Sequence, residues 1–171
     1  TRIPFMIRDQ KFSKPGDAVE EAVSLIDVYP TLKELCQLNE IRSDASIIQR
    51  DGFSLKPCLT EPKTSDWEGP EGALTVLGAG INAPIEGAGI SKNPGALWHI
   101  EITEDLDSSY VKQQNYAYRT KDWRYILYRN GEEELYNHAN DRFEWNNLAN
   151  DKDYLIRKEQ LKKELLAMIS N

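Results

Sequence analysis

The dipeptide Asn130-Gly131 constrains this chain more than any other feature, because an Asn-Gly pair set between alternating runs specifies a tight antiparallel hairpin. Ahead of it, Arg124–Tyr128 reads as one strand of that hairpin. Behind it, Arg129-Asn130-Gly131-Glu132 leads into Glu134-Leu135-Tyr136 as the other. Tyr116–Thr120 predicts a further strand. From about Asp151 the period changes to that of a helix: Leu161, Leu165, Met168 and Ile169 share one face, and Glu159 with Lys163 forms a favourable i,i+4 pair. The last third is therefore predicted to be a small antiparallel sheet packed by a closing helix.

The first stretch has a different grammar. Thr1-Arg2-Ile3-Pro4-Phe5-Met6-Ile7-Arg8 reads as a buried strand without a polar lead-in, so the chain is expected to continue a longer polypeptide. Lys14-Pro15-Gly16-Asp17 is a turn-prone linker, and Ala22-Val23-Ser24-Leu25-Ile26 is a second apolar run. A helix is predicted next, with Asp27 accepting from the free N–H groups of the first turn and Pro30 inside that turn, where its missing donor costs nothing. Leu32, Leu35 and Cys36 recur at helical spacing, and Leu38-Asn39 is the expected stop. Together these make a βαβ-like corner of an α/β domain. Between them and the hairpin lies a stretch rich in proline and glycine, whose regular pieces are Ala73–Leu77 and Leu97–Thr103.

Composition narrows the function. A net charge of −7 over 171 residues excludes a broad nucleic-acid or anionic-membrane surface, since neither partner is drawn to a net negative field. No stretch reaches the roughly 18 apolar residues that a membrane helix requires. Cys36 and Cys58 form neither a CxxC pair nor a Cys/His cluster, so neither zinc nor a disulfide framework is indicated. Gly78-Ala79-Gly80-Ile81-Asn82-Ala83 follows a strand and spells GxGxxA, but Pro84, Gly87 and Gly89 forbid the helix that a dinucleotide site needs. His99 and Glu101 share a strand face but lack a third ligand for a metal. His138 lies in a turn, and with only two histidines in the chain a Ser/His/Asp device has little to draw on. Glu132-Glu133-Glu134 reads as a solvated hairpin edge whose charge deters edge-to-edge pairing.

Taken in order, several of these segments resemble a known family. Thr1–Arg8, then Ala22–Leu32, then Asp51-Gly52-Phe53-Ser54-Leu55 look like consecutive C-terminal landmarks of type I sulfatases, members of the alkaline-phosphatase superfamily. Tyr116–Tyr128, Gly131–His138 and Glu144-Trp145-Asn146-Asn147-Leu148-Ala149 are similar to the C-terminal subdomain of the iduronate-2-sulfatase-like branch. The resemblance implies an α/β chain that is the C-terminal part of an alkaline-phosphatase-like sulfatase fold. Residues 1–59 would end the large α/β domain, 60–115 would be a loop-rich insert and connection, and 116–171 would form the C-terminal subdomain. The departures are the insert between about Gly78 and Gln114, and Asn140-Asp141-Arg142 where the family has Asp-Pro.

The resemblance also implies what this stretch does not carry. The family's nucleophile is a formylglycine made from the Cys or Ser of a Cys/Ser-x-Pro-x-Arg motif, working beside a calcium ion. Cys36 is followed by Gln37-Leu38-Asn39-Glu40 and Cys58 by Leu59-Thr60-Glu61-Pro62, so neither matches. No catalytic residue or metal ligand is assigned to this chain; calcium and formylglycine are expected in an N-terminal segment that is its implied partner. Asn115, Tyr116 and Arg119, at the entry to the first family-like strand, are the candidates for contact with a sulfated glycan. The implied destination is the periplasm, the exterior or the lysosome. The alternative reading is a stand-alone carbohydrate- or protein-binding module derived from a sulfatase tail.

Overall fold

The computed structural model describes residues 3–38, 51–63, 66–77 and 114–170. The strand expected at Leu97–Thr103, the pair His99 and Glu101, and the glycine loop after Leu77 lie outside the described residues. The chain divides into two compact units, one of residues 1–73 with 119–121, the other of 74–118 with 122–171.

In the first unit, a 3-10 turn (Leu25–Asp27) leads into helix α1 (Val28–Leu35), and a short helix α2 (Lys56–Thr60) follows. Asp27 organises this corner, though by a route other than the expected cap. Its carboxylate does not cap α1. It reaches back to accept from the Ser24 N–H at 2.8 Å and across the chain to accept from the Phe53 N–H at 2.9 Å. One turn on, the Thr31 hydroxyl donates to the Asp27 carbonyl and accepts from the Leu55 N–H. Two short polar side chains thus stitch the start of α1 to Phe53–Leu55. Gly52 makes the approach possible: it has φ 103°, and a Cβ there would stand 2.5 Å from the Ile26 carbonyl oxygen.

Because Asp27 is buried and satisfies two backbone donors, Asp27→Ala is expected to lower stability by about 2 kcal/mol through the stranded N–H groups. Hydrogen exchange at the Phe53 amide checks this; unchanged protection would disprove the stitch.

Two expectations for this unit need correction. Ile3–Arg8 is not a strand here: Met6 is 91% exposed, and Ile3 and Phe5 are exposed as well. An extended segment becomes a strand only when a neighbour takes its backbone groups, and no described residues pair with it. Helix α1 ends at Leu35, before Leu38-Asn39. Gln37 turns into the left-handed region at φ 53°, and the Leu38 and Gln37 N–H groups close on the Lys33 and Glu34 carbonyls.

The second unit is built on an antiparallel sheet in the order β1 (Ala73–Leu77), β2 (Asn115–Arg119), β3 (Trp123–Leu127), β4 (Glu133–Asn137). Strands β2 to β4 lie within one or two residues of the predicted ones. Gly131, at φ 87°, closes the β3–β4 turn, where the Asn130 side chain accepts from the Glu132 N–H. The pair runs in register from Trp123 opposite Asn137 to Leu127 opposite Glu133.

Strand alternation gives the sheet two faces. One carries Tyr116, Tyr118, Tyr125 and Leu135 against Leu161 and Leu165 of helix α3 (Leu155–Ser170), with Met168 and Ile169 packed at the margin. This is the core, and α3 presents to it the face that the sequence predicts. No helix among the described residues is long and apolar enough to cross a membrane.

Candidate functional site

The second face of the sheet carries polar chemistry. On β3 and β4 the residues that point away from α3 include Arg124, Ile126, Glu134 and Tyr136, and the register sets Arg124 opposite Tyr136 and Ile126 opposite Glu134. Tyr128 and Tyr136 each donate a hydroxyl hydrogen bond of 3.0 Å to Glu134, one to each carboxylate oxygen. Burial and the hydrogen bond to Glu134 push the Tyr136 phenol up to about 12, and the same causes raise Tyr128.

Beside them Arg124 donates through Nη1 to both oxygens of Glu144, at 3.0 and 2.9 Å. His138 Nε2 lies 2.6 Å from the same carboxylate. Burial alone would raise the Glu144 carboxyl, but the hydrogen bonds from Arg124 and His138 prevail and hold it below the usual range. The Arg124 Nε is buried and has no hydrogen-bond partner among the described residues. Glu144 has a left-handed backbone, φ 60°, so the ion pair fixes a strained turn. The chemistry of this cluster is positional: it clamps residues 138–149 onto the sheet. It contains no serine, threonine or cysteine for a nucleophile to be made from.

The core face holds a second charged group. Glu133 accepts from the Tyr125 hydroxyl at 2.6 Å and pairs with Lys158 and Lys162 of α3 at 2.9 Å each. Burial works against ionisation, yet the three hydrogen bonds outweigh it and bring Glu133 to about 2. The expectation of a solvated acidic edge therefore holds for Glu132, which is exposed, and fails for its two neighbours. Alternation explains the failure: Glu133 and Glu134 point to opposite faces, and each finds donors there.

The predicted contact residues separate by the same rule. Tyr116 is 3% exposed in the core. Asn115 and Arg119 alternate to the side of their strand opposite Tyr116 and are half-buried. The Asn115 side chain accepts from the Arg129 N–H at 2.9 Å, tying β2 to the β3–β4 turn. The sequence marks neither Arg124 nor Glu144 as a site residue and presents Glu134 as a solvated edge; the period-two pattern of β3 and β4 is the signal that puts Arg124 and Glu134 on one face. An open hollow of about 460 Å³ lies beside α1, lined by Pro30, Lys33, Glu34, Gln37, Leu38 and Ser54, and brings no reactive group together. Among the described residues no three His, Cys, Asp or Glu side chains are grouped so as to hold a metal.

No protein-family model matches the chain. No curated protein matches it either. Solved structures do. A phosphonate monoester hydrolase from Silicibacter pomeroyi superposes on 91% of this chain with TM-score 0.58 and 21% identity. A protein in complex with its substrate D-glucosamine-2-N,6-O-disulfate matches 83% of it, TM-score 0.52, 21% identity. A 2-O GAG sulfatase matches 85%, TM-score 0.50, 19% identity. The chain spans only 26%, 23% and 25% of those three chains. At such identities the likeness is one of fold: a small antiparallel sheet with helices, as in the C-terminal part of sulfatase folds, with sulfatases and phosphonate monoester hydrolases as structural neighbours.

Proposed function

We propose that this chain is the C-terminal part of a sulfuric ester hydrolase of the iduronate-2-sulfatase-like kind, acting on sulfated glycans, and that it shapes the substrate pocket while the reacting groups lie elsewhere in the polypeptide. The observation that carries the reading is the superposition of 83–91% of the chain on a disulfated-sugar-binding protein and a phosphonate monoester hydrolase, of which it spans about a quarter. The exposed apolar side chains of the first unit, among them Ile3, Met6, Leu25 and Leu32, agree with it: such a surface suits burial against further polypeptide.

Sulfate ester cleavage needs an activated nucleophile and concentrated positive charge for the developing anion. The described residues do not fit either implied group. Cys36 and Cys58 lie outside the formylglycine motif, and the described carboxylates near the sheet are engaged by lysine, arginine and tyrosine partners. What this chain contributes is a rigid wall: Asn115 and Arg119, on the side of β2 opposite Tyr116, are the proposed substrate contacts, and Tyr116 positions their strand from the core.

The test begins with the reading frame upstream of the Thr1 codon. An in-frame Cys/Ser-x-Pro-x-Arg motif there, together with sulfate release by the full-length protein from a sulfated sugar, is the expected result. Turnover of phosphonate monoesters without sulfate esters would move the chain to the other neighbour's chemistry. A frame with no such motif would sink the hydrolase reading and leave a binding module.

A further inference from the structure

The loop clamped by Glu144 displays its two aromatic side chains to solvent. Phe143 is 68% and Trp145 81% exposed, yet their rings stack on each other at 5.4 Å between centroids and 22° between planes. An exposed Phe-Trp pair leaves apolar area in water that the fold itself gains nothing from. The loop beneath it is nevertheless rigidly held. Glu144, between the two rings, is tied inward to Arg124 and His138; the Asp141 carboxylate accepts from the Asn146 N–H at 2.8 Å; and the Asn147 side chain accepts from the Leu135 and Ala149 N–H groups.

These bonds also sort the charges. Both carboxylates of the loop, Asp141 and Glu144, are engaged within the unit, while Arg142, next in sequence to the rings, is exposed. The outward chemistry is therefore a pair of near-parallel aromatic planes, with an exposed arginine as the residue that precedes them in the chain. We propose that Phe143, Trp145 and Arg142 form a binding platform for a sugar ring that carries a sulfate or carboxylate. The C–H face of a pyranose lies flat against an aromatic plane, and a planar guanidinium pairs with an anionic oxygen group in two-point fashion. Because the platform is held before any ligand arrives, little ordering cost opposes binding. Two rings offer far less than the roughly 800 Å² per side of a stable protein interface, which favours a small ring over a protein partner. The choice of an acidic sugar rests on the hydrolase reading above; the stacking does not.

Isothermal titration of the full chain with a heparin-derived disaccharide, and with the same disaccharide desulfated, tests this. Saturable binding of the sulfated sugar is expected, weakened about tenfold or more by Trp145→Ala, which corresponds to the loss of one stacked ring. Arg142→Ser should weaken the sulfated sugar and leave the desulfated one unchanged. Both side chains are exposed, so the variants should melt with the parent; resonance shifts of the Trp145 indole on adding sugar to the unmodified chain give the same answer without a substitution. The proposal is overturned by no binding of either sugar at millimolar concentration, by binding that Trp145→Ala does not change, or by a Trp145 indole that full-length protein shields from iodide quenching before any sugar is added. Failure here with an upstream motif and sulfate release intact would leave the hydrolase reading standing. Sugar binding without that motif would do the reverse.

Discussion

Glu133→Gln is expected to lower the stability of the sheet-and-helix unit by roughly 2 to 3 kcal/mol, toward the lower end of what breaking a buried ion pair costs. The substitution keeps the shape and one acceptor for Tyr125, but removes the charge that faces two lysines. Lys158 is 8% exposed, and with Glu133 neutral its ammonium is left buried without a counter-charge. Lys162 is a third exposed and can turn to water, so Lys162→Gln should cost well under 1 kcal/mol. Urea denaturation followed by the near-ultraviolet dichroism of the tyrosine core reads both. Equal effects would contradict the burial argument.

The same carboxyl sets an acid limit. In the fold it is at about 2 against 4.5 for an unperturbed glutamate, so unfolding takes up a proton between those values. Its contribution is complete above about pH 4.5 and is lost as pH falls toward 2. A titration of stability over that window should lose part of its slope in Glu133→Gln.

How much of this was legible beforehand depended on whether a residue's partner was local. Asn130-Gly131 specifies its turn with four residues, and Leu161, Leu165, Met168 and Ile169 declare a helix face by spacing alone; the structure places them accordingly. Asp27 reads as a helix start because a local rule offers it a cap, and nothing in the sequence gives Thr31 a bond of its own. Their other partners, Phe53 and Leu55, come from over twenty residues away, and no pattern in the sequence announces a bond of that span. Glu133 and Glu134 look like one acidic run until the pleat divides them, and only the packing of α3 shows that one meets lysines while the other meets tyrosines. The opening strand illustrates the opposite error. Ile3–Arg8 has strand composition, but pairing is a property of two segments.

Leu161→Ala is expected to be among the most damaging single substitutions in the second unit, at about 3 kcal/mol. Leu161 has no exposed surface and packs on the tyrosines of β2 and β3, so alanine removes buried methyl groups and leaves a cavity that the surrounding rings cannot fill without leaving their rotamers. Leu161→Met, which conserves volume, should cost less than about 1.5 kcal/mol. Ile156 stands one turn and a fraction earlier on the same helix and is 88% exposed; Ile156→Ala should be neutral or slightly favourable, since alanine is the better helix former. Thermal unfolding of the three variants distinguishes packing from propensity. The contrast bears on the open face as well, because α3 packs behind β3, and β3 presents Arg124 to Glu144. If Leu161→Ala and Ile156→Ala were equally mild, α3 would not be seated on the sheet by this face, and the rigidity assigned to the aromatic loop would lose its support.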